Sequence, residues 1–333
     1  MKHAFVTGAT GYIGRRLVEL LSSRGIAVTC LVRCNSTAPA GRAIVGDLLD
    51  PAETLAESMC GCDTLFHLAA TVSFAPSARE QLHRINGDGT GRILEAARMA
   101  GVSRVVVVSS ACTIGLSHDP SHVLDEDSPV DERLAARNPY LASKLDAESH
   151  AFAAATAGQH VVIVNPTTVF GPGDRTLNSG TMFQQVARAR VLPVPPGGTN
   201  VGDIADVADG LFAAAERGVS GRRYILGGHN ITFAELFSEI ARVIGRAPRF
   251  VRIGSYARLP MRSVAWAIHH VAGSRIITPQ IVDDTFAYKY FASERAAREL
   301  GWSPRVQLHD TLSAAWTYYR AEGLIVSPME AAA

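Results

Sequence analysis

An apolar run near the start of the chain leads into Thr7-Gly8-Ala9-Thr10-Gly11-Tyr12-Ile13-Gly14, and a helical pattern follows. Gly8 permits a tight turn, Gly11 lets the backbone approach a pyrophosphate, and Gly14 lets the helix pack closely on the strand. Free N–H groups at the start of the helix would then meet the phosphates. The stretch predicts a dinucleotide-binding loop with Thr10, Tyr12 and Ile13 as further contacts, and a merely tight structural turn is the alternative.

Short β-rich runs alternate with helical stretches on either side of this loop. Several runs are apolar throughout, which is typical of parallel strands covered by helices on both faces. Strands are predicted at Ala4–Thr7, Ala27–Val32, Ala43–Val45, Thr64–Leu68, Arg104–Ser109, His160–Asn165 and Arg223–Leu226. Helices are predicted at Tyr12–Arg24, Ala78–Ala100, Tyr140–Ala157 and Ile204–Arg217. The pattern predicts an α/β fold with a doubly wound, Rossmann-type parallel sheet.

The alternation of strand-like and helical segments ends after Asn165-Pro166, where clusters of turn-forming residues follow. We expect a dinucleotide-binding domain over residues 1–165, to which residues 201–228 return. Residues 166–333 would form a smaller, mostly helical substrate-binding region.

Composition excludes several classes of protein. The 333 residues are 47% apolar and 19% charged, and the net charge is +1, so the chain is neither disordered nor drawn to nucleic acid. Five cysteines without a CxxC pair predict reduced structural thiols and a cytoplasmic location. No signal peptide or membrane span is expected, and Leu259 to Ala272 is interpreted as a core or pocket helix.

The residue that follows the second strand predicts which dinucleotide binds. An acidic residue there would bond the ribose 2′-hydroxyl of NAD, whereas an Arg suits the 2′-phosphate of NADP. Arg33 occupies this place, no acidic residue lies between Ala27 and Ala43, and Arg15 could assist. We therefore expect NADP in preference to NAD, although Arg33 could be a solvated charge in an Arg-rich chain.

A Tyr–Lys pair indicates proton-transfer chemistry. Tyr140 and Lys144 share one face of a predicted helix, and a nearby ammonium would lower the pKa of a phenol. Lys144 could also bond the nicotinamide ribose. A hydroxyl of Ser109-Ser110, at the end of a strand, could hold a carbonyl oxygen while Tyr140 transfers the proton. No metal site is expected: the Asp203, Asp206 and Asp209 series is interpreted as helix capping and a solvated face, and His67 and His269-His270 as structural residues.

Together these motifs resemble the extended short-chain dehydrogenase/reductase family, within the NAD-dependent epimerase/dehydratase superfamily. Further family-like segments are Gly46-Asp47-Leu48, His67-Leu68-Ala69-Ala70 and Asn165-Pro166. The resemblance implies that Asp47 and Leu48 lie at the adenine, Ala69 and Ala70 border the dinucleotide, and Pro166 passes the nicotinamide. It also places Ser110 at the active position, with Ser109 as the alternative, and gives Asn86 a structural role.

Sequence segments near these motifs indicate which branch of the family the chain resembles. Sugar dehydratases of this family usually carry Asp-Glu after the active hydroxyl, where this chain has Ala111-Cys112. Nucleotide-sugar enzymes often place an Arg before the helix that follows the Pro/Gly-rich loop, where this chain has Gly198-Thr199-Asn200-Val201-Gly202-Asp203-Ile204, although Arg175, Arg188 or Arg190 could substitute. The chain looks like the dihydroflavonol-reductase group and like hopanoid-associated sugar epimerases.

The expected activity is hydride transfer between NADPH and a small-molecule ketone or aldehyde. Three segments with apolar residues, Met182-Phe183, Leu259 to Trp266 and Ile276-Ile277, are candidates to line the pocket. An epimerase that retains its cofactor and a non-catalytic dinucleotide-binding protein are the alternatives. A homodimer and a monomer both stay open.

Overall fold

A seven-stranded parallel sheet forms the centre of the protein. The computed structural model describes residues 1–33, 36–130, 132–271 and 279–325. Its strands are β1 (His3–Thr7), β2 (Ala27–Val32), β3 (Arg42–Val45), β4 (Thr64–His67), β5 (Arg104–Val108), β6 (Val161–Pro166), β7 (Thr168–Phe170), β8 (Val191–Val194), β9 (Gly198–Asp203), β10 (Arg223–Leu226), β11 (His229–Thr232) and β12 (Arg249–Arg252). The large sheet has the order β3-β2-β1-β4-β5-β6-β10. The predicted strands and the doubly wound fold are confirmed, with strand ends that shift by at most one residue.

Helices cover both faces of this sheet. They are α1 (Tyr12–Ser23), α2 (Ala52–Ser58), α3 (Arg79–Leu82), α4 (Gly89–Met99), α5 (Glu132–Arg137), α6 (Pro139–Thr156), α7 (Thr181–Arg188), α8 (Ile204–Arg217), α9 (Phe233–Ile244), α10 (Arg258–Val271), α11 (Pro279–Thr285) and α12 (Leu308–Ala321). Val105 and Val107 pack with residues of α2, α4 and α6 on one face. Val106 and Val108 pack with residues of α1 and α8 on the other. Both faces of β5 are therefore buried, which explains its unbroken valine run.

The predicted single helix Ala78–Ala100 is wrong in its middle. A π-helical segment, His83–Asp88, separates α3 from α4. Asn86 lies in this segment, where its side chain bonds both the N–H of Thr71 (2.8 Å) and the carbonyl of Thr71 (2.9 Å). The amide also donates to Ser143 of α6 (2.9 Å). The wider turn holds Asn86 between the loop after β4 and α6, in agreement with the structural role expected for it.

A second region contains two small sheets and its own core. β9 pairs with β7 and β11, and β12 pairs with β8. Its buried core includes Phe170, Phe183, Leu236 and Tyr319. The chain passes between the regions more than once, because α8 packs on α1 and β10 joins the edge of the large sheet, whereas residues 201–203 belong to a small sheet. The two-domain division stays a proposal.

The interpretation of Leu259 to Ala272 as a core or pocket helix holds only in part: Leu259 and Trp266 line a surface cavity of about 220 Å³, but Ala265 alone of the described side chains in this segment is buried. One side of α10 packs through Ala265 against α11 and Phe286, but Leu259 is 71% exposed and Trp266 is 56% exposed. The apolar composition of this segment did not predict that its outer face would be exposed to solvent. Ala272 lies outside the described residues. In the described ranges, no helix has both the length and the apolar character required to span a bilayer.

Candidate active site

The glycine loop is built from backbone contacts that leave no room for side chains. Gly8 has φ of +69°, and a Cβ there would lie 2.6 Å from the amide nitrogen of Ala69. A Cβ on Gly14 would lie 2.1 Å from the carbonyl oxygen of Gly8. The loop between β1 and α1 is therefore pressed against the chain that leaves β4, as a close approach of backbone to a dinucleotide requires.

The N-terminus of α1 is open to an anion. Gly11 is its N-cap and supplies no side-chain hydrogen bond, and the first turn carries no acidic residue. The first N–H groups of a helix lack partners within the helix, and their partial positive charge favours a phosphate. Together with the glycine cradle, this helix end fits the pyrophosphate of a dinucleotide.

The other predicted loop contacts also bond or pack within the protein, Tyr12 and Ile13 through their side chains and Thr10 through its backbone. The hydroxyl of Tyr12 donates to the carbonyl of Gly171 (3.1 Å), and Ile13 packs against the core beneath α1. The carbonyl of Thr10 accepts a hydrogen bond from Nε of Arg15 (3.0 Å). Tyr12 thus ties the glycine loop to the second region of the protein.

Residues predicted at the dinucleotide follow the carboxyl ends of neighbouring parallel strands. They are Arg33 after β2, Asp47 and Leu48 after β3, Ala69 and Ala70 after β4, Ser110 after β5, and Pro166 at the end of β6. Arg33 is exposed, Leu48 is buried, and the Asp47 carboxylate accepts from the N–H of Leu49 (2.9 Å). Because the strands are parallel, all these positions lie at one edge of the sheet, where ligands bind in such folds.

Ser110 and Tyr140 line one cavity of about 220 Å³ at this edge. Tyr140 lies in the first turn of α6, whose N-cap Asn138 accepts from the N–H of Leu141 (3.1 Å). Pro166 also lines the cavity, and the Phe74 ring stands edge-on to Tyr140 at a centroid distance of 5.7 Å. Ser109 is not among the described lining residues, and its hydroxyl is buried. The geometry brings the predicted hydroxyl and phenol together.

The expected effect of Lys144 on Tyr140 is wrong. Burial raises the pKa of the Tyr140 phenol well above its usual range, and a hydrogen bond with Ser110 opposes this only in part. Lys144 is almost fully buried and donates through Nζ to the carbonyl of Val108 (2.8 Å). The same burial lowers the pKa of Lys144 to about 8. The phenol is therefore held in its neutral, proton-donating form.

A buried polar network supports the loop of Ser110 and was missed in the sequence. Nδ2 of Asn165 contacts the carbonyl of Ser110 (3.1 Å) and Oε1 of Glu148 (2.7 Å). The Thr113 hydroxyl contacts the same two oxygens, at 2.8 and 2.7 Å. Glu148 follows Lys144 by one helical turn, so the i, i+4 spacing that linked Tyr140 to Lys144 could have found it.

The segments predicted to line the pocket do not do so. Phe183 is buried in the core of the second region, and Leu259 and Trp266 face solvent. Ile276-Ile277 lies outside the described residues. The apolar wall is formed instead by distant parts of the chain: Phe74, Leu116, Leu134, Leu141 and Phe291. Polar groups absent from the prediction, Cys112, Asp284 and Lys289, share the same cavity.

His67 is a packed strand residue, as predicted. Its Nδ1 lies 2.7 Å from the Thr7 hydroxyl and its Nε2 lies 3.0 Å from the Thr90 hydroxyl. Burial, with a smaller effect of Lys144, lowers the pKa of His67 from its usual 6.5 to about 3. The neutral ring thus joins β1 to α4 beneath the glycine loop.

Because of this histidine, the free energy of unfolding should decrease as the pH is lowered. Between pH 6.5 and 3 the unfolded chain binds a proton that the folded protein does not, so stability is lost as pH falls through this window. From pH 7 to pH 5 we expect a loss of about 2 kcal/mol. Urea unfolding at both values checks this: His67→Gln should remove the increment and the exposed His122→Gln should keep it. Equal pH dependence in wild type and His67→Gln would contradict it.

The remaining predicted residues have local structural roles. Asp203 caps α8 through the N–H of Ala205 (2.7 Å), and Asp209 pairs with Arg24 (2.7 Å). Asp206 is not on a solvated face, as had been expected, because it is buried and accepts from the N–H groups of Arg305 and Val306 (2.9 Å each). The free thiols among the described residues are Cys30, Cys60, Cys62 and Cys112. Cys34 and the side chains of His269-His270 lie outside the described part.

Several relatives and solved structures are similar to this chain over most of its length. A "Putative dihydroflavonol 4-reductase" of Synechocystis sp. is 33% identical, with 96% of this chain and 95% of the relative aligned. A Stigmatella aurantiaca protein named 4-hydroxy-2-methyl-3-oxo-4-farnesyl-3,4-dihydroquinoline-1-oxide ketoreductase is 36% identical over 67% of each chain. The crystal structure of gox2253 superposes with a TM-score of 0.85 at 30% identity, covering 98% of this chain and all of the other.

A further solved structure, MoeE5 in complex with UDP-glucose and NAD, has a TM-score of 0.73 at 26% identity and covers 96% of this chain and 99% of the other. Residues 4–227 match the profile described as the NAD dependent epimerase/dehydratase family. That match spans the glycine loop, Ser110, Tyr140 and Lys144. The chain therefore belongs to the NAD-dependent epimerase/dehydratase family and has its extended short-chain dehydrogenase/reductase fold.

Proposed function

We propose that the protein is an NADP-dependent carbonyl reductase of small molecules. The observation that carries this proposal is the meeting of the Ser110 hydroxyl and the Tyr140 phenol in one cavity at the edge of the sheet where the strands end. The ketoreductase among the relatives supports it. We also propose, from the free thiols, a cytoplasmic location.

Different residues of the cavity bind the substrate oxygen and donate a proton to it. Ser110 binds the carbonyl oxygen, and Tyr140 donates its phenolic proton to that oxygen as negative charge develops. A phenol is protonated at neutral pH, so Tyr140 has this proton to donate. Lys144 lies buried one turn further along α6 and is the candidate to bond the nicotinamide ribose. The dinucleotide, when bound, supplies the hydride.

The choice of NADP over NAD is proposed from Arg33. Its exposed guanidinium follows β2 with no acidic residue beside it and can bond a 2′-phosphate in a bidentate manner. Arg33→Ala should weaken NADPH binding about tenfold or more and leave NADH affinity unchanged. Fluorescence titration with both dinucleotides measures this. Arg42→Ala, exposed at the opposite end of the neighbouring strand, is the control, and an unchanged preference in Arg33→Ala would contradict the proposal.

An epimerase is the second candidate, because the matching family is described as epimerase/dehydratase and a similar solved structure holds UDP-glucose and NAD. An epimerase returns the hydride to the same substrate, so it consumes no NADPH and retains its cofactor tightly. The strand β9 carries no Arg at Val201-Gly202-Asp203, where a diphosphate clamp would be expected, and Ser110 is followed by Ala111-Cys112 rather than by acids. These features favour the reductase.

An NADPH-oxidation screen against ketones and aldehydes tests the proposal. Turnover with net NADPH consumption, by protein purified free of dinucleotide, is the expected result. Tightly retained cofactor without net consumption would support the epimerase instead. Tight NADPH binding with no turnover on any carbonyl would indicate a binding protein without catalytic activity.

A further inference from the structure

A second cavity adjoins the one that Tyr140 lines. It measures about 260 Å³, and its lining includes His118, Arg137 and Arg258. The two cavities share Leu116, Leu134 and Asp284 in their walls, so they adjoin each other. We name the first the inner cavity and the second the outer cavity.

Lys289 stands on the wall of the inner cavity. Its Nζ lies 3.3 Å from Oδ2 of Asp284, whose other oxygen accepts from the side chain of Gln280 (3.1 Å). The Lys289 side chain is 31% exposed, so the ammonium is only partly enclosed by this pair. It is one of three lysines in a chain that otherwise uses Arg, and an ammonium is a compact charge that can donate in several directions.

Positive charge is in excess where the cavities meet. Asp283 already balances both Arg258 and Arg262, each through a 3.0 Å contact from Nε. Arg137, at the C-terminal end of α5, is exposed and forms no ion pair with a described residue. Two carboxylates, Asp283 and Asp284, therefore meet three cationic side chains in the walls of the two cavities, Arg137, Arg258 and Lys289, and Asp283 is shared with Arg262 outside these walls.

We propose that the substrate carries an anionic group, a carboxylate in the simplest case, which Lys289 and Arg137 bind at this junction. The inference rests on the proposed reductase function. The apolar wall of the inner cavity would hold the carbon skeleton with its carbonyl at Ser110, while the excess cations attract and bond the anion.

Binding of a ligand that cannot be reduced isolates this inference. Phenylbutyrate and the matched neutral phenylbutyramide are titrated by calorimetry into the NADPH-loaded protein. We expect the acid to bind about tenfold more tightly than the amide. Lys289→Met and Arg137→Met should each remove most of this preference by weakening the acid alone, and Lys2→Met, at a distant lysine, should leave it unchanged.

Three results would overturn the inference: equal affinity for acid and amide, no measurable binding of the acid, or equal weakening of both ligands in Lys289→Met. The third would mark the lysine as a structural residue of the cavity wall. Because no carbonyl is present in either ligand, failure of the reductase proposal shows separately, as a lack of NADPH oxidation in the carbonyl screen.

Discussion

Tyr140→Phe is expected to lower kcat about a hundredfold to ten-thousandfold while NADPH binding stays intact. The change removes one hydroxyl from the inner cavity and with it the proton that the developing alkoxide must receive, an effect of the size usual for general acid catalysis. The ring of Phe keeps the edge-on contact with Phe74, so the wall of the cavity should be preserved. Steady-state kinetics and NADPH titration measure the two effects.

A control variant separates the chemistry from general loss of structure. Tyr256→Phe removes a hydroxyl from a side chain that is 87% exposed, and should leave kcat unchanged. Retained turnover in Tyr140→Phe would refute the role of Tyr140 as the proton donor. Loss of both NADPH binding and turnover would instead show that Tyr140 is needed to form the dinucleotide site.

Gly8→Ala is expected to lower the free energy of unfolding by about 3 kcal/mol or more and to abolish dinucleotide binding. A positive φ costs an L-residue about 1–2 kcal/mol, and the new methyl would in addition meet the backbone of Ala69 at 2.6 Å. Neither backbone segment can move without shifting β1 or β4, so strain adds to the conformational cost. Urea unfolding and NADPH titration test both effects.

Gly25→Ala provides the matched comparison. Gly25 follows α1 with φ of +73°, nearly the same as Gly8, but a Cβ there meets nothing within 4 Å. This variant should lose only about 1 kcal/mol and should bind NADPH normally. If the two variants were equally stable, the contact of the new methyl with the backbone of Ala69 would add nothing to the destabilisation, which would contradict the prediction.

The large sheet was predictable because its signal is local. A strand such as β5, buried on both faces, must be apolar at every position, and that pattern can be read without knowing its neighbours. The glycine loop and the Tyr140–Lys144 spacing are local in the same sense. The π-helical segment was not predictable, because Asn86 forms it by bonding Thr71, a partner outside the helix.

The walls of the cavity depend on contacts between distant parts of the chain. Lys289 comes to line the same cavity as Ser110 because the chain at Tyr288 pairs with Ser117, and no periodicity in the sequence predicts this pairing. The solvent-facing side of α10 is the opposite case: a strong local apolar pattern was present, but hydrophobicity does not say which face meets a neighbour. Burial of the Tyr140 phenol likewise raises its pKa, where the sequence predicted that Lys144 would lower it.

Because the chain passes between its two regions, the order in which it is synthesised limits the order in which the large sheet can form. During translation, β1 to β6 emerge first, but the edge strand β10 follows only after α7, β8 and β9 have been made. A nascent chain must therefore keep β6 as an unpaired edge, open to other strands, until residue 226 leaves the ribosome. The inner cavity closes later still, when Lys289 and Phe291 arrive, so a growing chain acquires its dinucleotide loop long before it can select a substrate.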